Sequence, residues 1–336
     1  MKKILLLIIL IISYSNISSA EPNVLKCKKN CGTPDTKGEF SFQARLSMGQ
    51  EGWGGNITFI EDDIAISEAH VVGINPEKKI CCNPKQIKKA AEDWKRHKNN
   101  MYVVEGNSYQ GKQKIIGKVL DIAGRANGHP PGYDLLLLHI DRNCKKCQKN
   151  KDIKIEPIPL ANSIPEIGTK AQHICIPDLD AKKIGKGIIS MPHNLNGMIY
   201  GAKTTQCSRQ IIKHDGIDNP PMVFAGCSGS PVIYKECGKN VVHGLHGNGM
   251  DEDKIMYEIL QLVQTQKEWV QSQIFEWTGR TDMLDACDPS GRRSFMPDQK
   301  FDVVQNGCQK KRIREDEFVP CTLVDLDKAI NFPWMD

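Results

Sequence analysis

The sequence predicts an all-β protein of short antiparallel strands. Three observations predict it: short apolar runs recur along the chain between Gly, Pro, Asn and Asp turn residues, one run alternates strictly, and only two stretches carry a helical period. Phe40, Phe42, Ala44 and Leu46 alternate with Ser41, Gln43 and Arg45, the pattern of a half-buried strand. Further strands are expected at Asn56 to Ile60, Ile64 to Ile66, Met101 to Val104, Ile115 to Leu120, Leu135 to Ile140, Ala171 to Ile176, Ser230 to Tyr234 and Val241 to Leu245. Many short strands with turn residues between them argue for a sandwich or barrels rather than a parallel sheet layered with helices. The first helical stretch, Lys85 to Lys98, sets Ile87, Ala90, Ala91 and Trp94 opposite Lys88, Lys89, Lys95 and Arg96. The second, Ile255 to Trp277, spaces Ile259, Leu262, Val263, Trp269, Val270 and Ile274 as a helix would. Beyond Thr278 the chain turns polar, but Cys287, Cys308 and Cys321 predict an extension that is tied down. No internal repeat is present.

With 336 residues, 40% of them hydrophobic, the composition excludes a disordered or fibrous chain. The formal charge, 45 − 40 = +5, is weak and spread along the sequence, and does not point to nucleic acid. Thirteen cysteines would be a liability in a reducing cytosol, and the odd count leaves at least one unpaired or paired to another molecule. Lys2 and Lys3 precede the apolar run Ile4 to Ile12, and Ser18-Ser19-Ala20 offers a cleavage site before Glu21. Residues 1–20 therefore read as a secretory signal, whose apolar run is shorter than the roughly 20 residues of a membrane span. Its removal takes two lysines, leaving 5 − 2 = +3. The expectation is a secreted or periplasmic chain, off the membrane once processed, with its cysteines in disulfides. Cys81-Cys82 and Cys144-Lys-Lys-Cys147 fit that better than zinc or redox work, since no histidines stand at ligand spacing; no metal or other cofactor is expected.

Three segments carry chemistry. Ala65-Ile66-Ser67-Glu68-Ala69-His70 is a strand ending in histidine, Asp134 stands at the mouth of the apolar strand Leu135 to Leu138, and Gly226-Cys227-Ser228-Gly229-Ser230-Pro231 sets a serine between glycines. Singly, each has a bland explanation as a loop residue, a cap or a turn. Together they supply a base, a group to orient it and a nucleophile, which is what acyl transfer by serine requires.

On these residues the sequence resembles the chymotrypsin-like serine proteases, from about Gly32 to Trp277. Ala69-His70 resembles the family's Ala-Ala-His, Asp134-Leu-Leu-Leu-Leu its Asp-Ile-Ala-Leu-Leu, and Gly226 to Pro231 its Gly-Asp-Ser-Gly-Gly-Pro. Trp53-Gly54-Gly55-Asn56-Ile57 and Trp269-Val270-Gln271 are weaker echoes of an early strand and the closing helix. The order His, Asp, Ser is that of this fold, whereas subtilisins and α/β-hydrolases carry the triad in other orders. The resemblance implies two antiparallel six-stranded barrels, about 32–150 and 151–254, a closing helix over 255–277, a lead-in at 21–31 and an added tail at 278–336. It also implies a monomeric endopeptidase acting on proteins or peptides, with Ser228 as nucleophile, His70 as base, Asp134 orienting it, and the N–H groups of Gly226 and Ser228 as the oxyanion hole. An esterase could use the same residues. From a different class, the alternative is an inactive relative that binds protein through the cleft or through the basic insertion at Lys85 to Lys98, which otherwise reads as a solvated face.

The departures from the family pattern are informative. Trp53 and Val71 stand where both halves of one usual disulfide would fall. Cys227 replaces the usual aspartate before the nucleophile, and the Ile-Val-Gly-Gly N-terminus that would pair with that aspartate is absent. The oxyanion loop is therefore expected to be held another way, by a disulfide through Cys227. At the base of the specificity pocket, Met222 and Val223 offer packing and no polar partner, which favours an apolar residue. The segment His243 to Gly249 resembles a strand of glutamyl endopeptidases, in which His246, beside Gly247 and Gly249, would contact Glu or Gln.

Overall fold

The computed structural model describes residues 33–47, 54–72, 100–106, 114–126, 134–166, 168–177, 192–201, 209–214, 226–252, 255–296, 304–305 and 323–324. The expected signal at 1–20, the lead-in at 21–31 and the helix at Lys85 to Lys98 lie outside them.

After a short strand β1 (Thr33–Pro34), a closed barrel forms from β2 (Gln43–Ser47), β3 (Asn56–Glu61), β4 (Ile64–Ser67), β5 (Tyr102–Glu105), β6 (Lys114–Ala126) and β7 (Asp134–Asp141), in the order β2-β3-β4-β7-β6-β5. All its pairings are antiparallel. Strands β2, β3 and β4 and the first half of β7 are buried on both faces. Ala44, Leu46, Ile57, Phe59, Leu136 and Leu138 fill the barrel. Ile60, Ile64, Ile66, Leu135 and Leu137 point outward into a second apolar cluster shared with the rest of the molecule. That double burial explains why the run after Asp134 is apolar throughout instead of alternating.

The same burial corrects the reading of Phe40 to Leu46. The strand begins only at Gln43, and every residue of β2 is buried rather than half of them. Phe40 and Phe42 sit before it in the outer cluster, their rings edge-on at 6.0 Å. Gln43 and Arg45 tolerate burial because each has polar partners: Gln43 Nε2 donates to Asn56 Oδ1 at 2.7 Å, and the Arg45 guanidinium donates to the carbonyls of Gly54 and Ile176.

The second unit comprises β8 (Lys170–Cys175), β9 (His193–Gly201), β10 (Arg209–His214), β11 (Pro231–Glu236), β12 (Lys239–Glu252) and β13 (Ile255–Leu262). With β1 they make a seven-stranded sheet in the order β1-β9-β10-β13-β12-β11-β8, and β8 pairs with β9 as well. The segment Ile255 to Leu262 is thus a strand, not the first half of a helix. It hydrogen-bonds to β10 on one side and β12 on the other. Three-residue spacings such as Ile259 to Leu262 fit either structure, and pairing on both edges decides it. The helix itself, α1, spans Lys267–Thr278 and buries Trp269, Val270 and Ile274 in the shared cluster. It stops at Gly279, where a left-handed φ of 70° lets the glycine N–H reach the Phe275 carbonyl.

Past the helix, β14 (Asp282–Leu284) and β15 (Arg292–Ser294) form a hairpin, and two-residue strands β16 (Val304–Gln305) and β17 (Leu323–Val324) pair with each other. The hairpin region is fastened to both units. Cys287 is bonded to Cys237, at the turn between β11 and β12. On the barrel, the buried Glu61 carboxylate accepts the Leu284 N–H at 2.6 Å and the Arg292 guanidinium at 3.0 Å, while Arg280 reaches Asp63 at 2.6 Å. Burial nonetheless pushes the Glu61 carboxyl above its usual range, against the pull of these donors. Cys308 and Cys321 lie outside the described residues.

One buried histidine is expected to make the fold acid-sensitive. His243 on β12 is fully buried, and its Nδ1 accepts from the Gln264 side-chain amide at 2.8 Å. Burial pushes its imidazole down from 6.5 to about 3. Unfolded, the same ring takes up its proton near pH 6.5, so its contribution to stability is complete above that value and is lost as pH falls toward 3. In urea titrations between pH 6.5 and 4, the wild-type midpoint is expected to fall more steeply than that of His243→Gln; equal slopes would remove His243 as the cause.

Candidate active site

Strand register brings the histidine to the aspartate. Ser67, the last residue of β4, lies opposite Leu136 of β7. Beyond it the chain leaves the barrel wall in a single 3-10 turn, Ala69–Val72, closed by the Val71 N–H donating to the Glu68 carbonyl at 3.2 Å. His70 therefore arrives above Asp134, the first residue of β7, two places before Leu136. Asp134 is buried and holds His70 twice: Oδ1 accepts the main-chain N–H at 2.9 Å, and Oδ2 accepts from Nδ1 at 2.6 Å. A carboxylate on Nδ1 fixes the ring proton there and leaves the lone pair on Nε2.

The serine segment closes against the same place. The Asn56 main-chain N–H donates to the Ser228 carbonyl at 2.9 Å, and Asn56 Nδ2 donates to the Gly226 carbonyl at 2.6 Å. On the other side, the Gly229 N–H donates to His246 O at 3.0 Å, and the His246 N–H to Ser230 O at 2.8 Å. Gly229 must be glycine. Its φ is 78°, and a Cβ there would lie 2.1 Å from Ser67 Oγ and 3.2 Å from Glu68 N. The backbone of the serine loop thus packs directly on the strand end that carries His70, and Ser228 itself is half-buried. Gly226 has φ 95°, a conformation that L side chains rarely adopt, as expected for a loop shaped around its amides.

Between Gly226 and Ser228, Cys227 is fully buried and disulfide-bonded to Cys175 at the end of β8. This is the attachment expected in place of the charged pair. The Ser230 hydroxyl completes the loop, donating to the Cys227 carbonyl and meeting His173 Nε2. His173 stacks on His246 with ring centroids 5.1 Å apart, and both rings are buried.

The structure thus places His70 and Asp134 in contact, and the Ser228 segment against the strand end that leads to His70. Val71 is nearly buried, and a Cβ on Gly55 would strike its side chain at 2.5 Å and the Ser228 carbonyl at 2.7 Å. Gly247 and Gly249 follow His246 along β12, Gly249 opposite Glu258. Trp53, Met222 and Val223 lie outside the described residues.

Three residues at the site went unrecognised in the sequence. Asn56 opens β3, a strand that also holds the polar Thr58 and Glu61, so its residue type alone did not mark it. Cys175 could not be paired by counting thiols. Glu68 stood within the histidine segment, where the family has alanine; it is fully buried with Oε2 3.5 Å from His70 Nδ1. Ligand atoms of Glu68, His70 and Asp134 all lie within 4.8 Å of one another, a spacing that could hold a cation. The Nδ1 contact at 2.6 Å to Asp134 makes that nitrogen a donor, however, which suits a base and its carboxylates better than an ion cage.

No family model matches the chain, and no curated protein does. Among solved structures, a double mutant of human heparin binding protein is similar over 75% of this chain and 98% of its own, at 14% identity and a TM-score of 0.47. Human heparin binding protein is similar over 72% and 95%, at 15% identity and a TM-score of 0.45.

Truncating Asn56 would strand the groups it serves. Asn56→Ala is expected to lower unfolding free energy by about 2–3 kcal/mol, because buried polar groups of two strands and a loop lose partners together. Chemical denaturation at pH 7 measures this, and a change within about 0.5 kcal/mol, the range of ordinary surface substitutions, would contradict it.

Proposed function

We propose that the chain is an exported serine endopeptidase of chymotrypsin-like fold, working through His70, Asp134 and Ser228. The observation that carries this reading is the double grip of Asp134 on His70, at the main-chain N–H and at Nδ1. A carboxylate that was only a cap would not need to fix the ring. Held there, the imidazole presents Nε2 as a base in its required tautomer, while the serine loop is pinned to the strand end that carries it.

The chemistry then follows from protonation states. Ser228 Oγ attacks the scissile carbonyl as His70 Nε2 takes its proton, and Asp134 stabilises the imidazolium that forms. The imidazolium returns the proton to the leaving amine, and water hydrolyses the acyl-enzyme by the same relay. The N–H groups of Gly226 and Ser228 serve as oxyanion donors, each such donor being worth about a hundred- to a thousandfold in rate. The Cys175–Cys227 disulfide supports a loop that needs no charged N-terminus to shape it.

Export rests on the signal read at 1–20 and on three disulfides among the described residues, which fit an oxidising compartment. No helix among the described residues is long and apolar enough to cross a membrane. Substrates are proteins or peptides. Met222 and Val223 favour an apolar residue before the scissile bond. The alternative of Glu or Gln rests on the resemblance of the segment around His246, whose ring is buried against His173.

A fluorophosphonate probe on the purified mature protein tests the reading. Label is expected on Ser228 of the wild type, none on Ser228→Ala, and labelling slowed by about a thousandfold or more in His70→Ala. Wild type labelled no faster than Ser228→Ala would overturn it in favour of an inactive relative.

A further inference from the structure

The triad chemistry leaves Glu68 without a role, yet the fold takes trouble to bury it. Its side chain has no exposed surface, and Oε2 lies 3.5 Å from the same His70 nitrogen that Asp134 holds at 2.6 Å. The position is set by the 3-10 turn, which folds the chain back over Glu68 so that the acid lies beneath its own histidine. From the other side the backbone at Gly229 closes on the Glu68 main-chain nitrogen. Two buried carboxyl groups thus flank one imidazole that is 28% exposed. Negative charge on two carboxyl groups this close to one nitrogen favours the charged ring over the neutral one.

We propose that Glu68 is a second positioning carboxylate for His70, acting with Asp134 to keep the ring proton on Nδ1 and to stabilise the imidazolium formed when Ser228 loses its proton. The inference rests on the serine endopeptidase reading of the same site. The charged groups on the ring nitrogen are Asp134 from β7 and Glu68 from the end of β4; the serine loop, whose Cys227 is held in a disulfide and whose far side is bonded by the main chain of His246, packs on the strand end that carries the ring. Two consequences follow. The base is stronger than one carboxylate would make it, so activity fades at a higher pH on the acid side. The site also has a reserve: with Asp134 neutralised, Glu68 remains as an anion on Nδ1.

The test uses the full mature chain. The fluorophosphonate labelling rate is measured against pH for the wild type, Glu68→Gln and Glu68→Ala; alanine stands at this place in the family motif, which makes it the safer variant for folding. The acid limb is expected to move down by about one pH unit or more in both variants, with thermal unfolding showing folded protein. Asp134→Asn/Glu68→Gln is expected to label at least about tenfold more slowly than the rates of the two single variants predict when multiplied. The His70 ring proton is also titrated by NMR in Ser228→Ala with and without Glu68→Gln, a readout that needs no activity. A ring titration unmoved by Glu68→Gln together with an acid limb unmoved in folded Glu68→Ala would overturn the proposal, leaving Glu68 as packing alone. A titration that shifts in a protein that takes no label would sustain the role of Glu68 toward the imidazole and remove the endopeptidase reading instead.

Discussion

One buried seam holds the molecule's two halves in the relation its site requires. At its centre is the Asn56 side chain on β3. Its Oδ1 accepts from Gln43 at 2.7 Å and from the Ile176 N–H at 2.9 Å, and its Nδ2 donates to the carbonyls of Gly226 and Ile176 at 2.6 and 3.2 Å. A barrel strand, the end of β8 and the serine loop therefore meet on one amide. The Cys175–Cys227 disulfide ties the last two together covalently at the same point. In a dry interior, unmade hydrogen bonds are costly, so such a network is stable only when the parts sit in one arrangement. That is the constraint the position of Ser228 depends on.

The apolar packing makes the seam possible. Leu136 and Leu138 fill the barrel while Leu135 and Leu137, on the opposite face of the same strand, meet Ile174, Ile233, Val242 and α1. Because the outer face of the barrel is itself core, the two units cannot slide without exposing large side chains to water. Asp134 begins this doubly buried strand, so the carboxylate that orients His70 is mounted on one of the most rigid elements present. Rigidity at that position matters chemically, because a base must be held within fractions of an ångström of its working geometry.

The extension after α1 braces the arrangement from behind. It reaches the barrel through Glu61 and Asp63 and the second unit through Cys237, and thus bridges the same two bodies as the seam. The Glu61 cluster is more a locator than a source of stability. Burial raises the cost of its charge, and breaking the cluster would leave that charge uncompensated.

By itself, the sequence determined the β class, the six strands of the barrel with β8, β11 and β12 beyond it, and the pairing candidates His70 and Asp134, which the structure brings into contact. Strand period, turn residues and the His, Asp, Ser order are local signals, and local signals survive in one dimension. It misjudged Ile255 to Leu262, since an apolar spacing of three or four fits a helix as well as a strand bonded on both edges. It also took Gln43 and Arg45 for exposed residues, because polarity marks the surface unless distant partners exist. Only the tertiary structure decided what joins residues far apart in the chain: that Cys227 pairs with Cys175, that Asn56 holds the serine loop, and that Glu68 lies under His70. The physical reason is that hydrogen bonds, disulfides and buried charges are properties of pairs, and a sequence names each partner without saying which other it will meet.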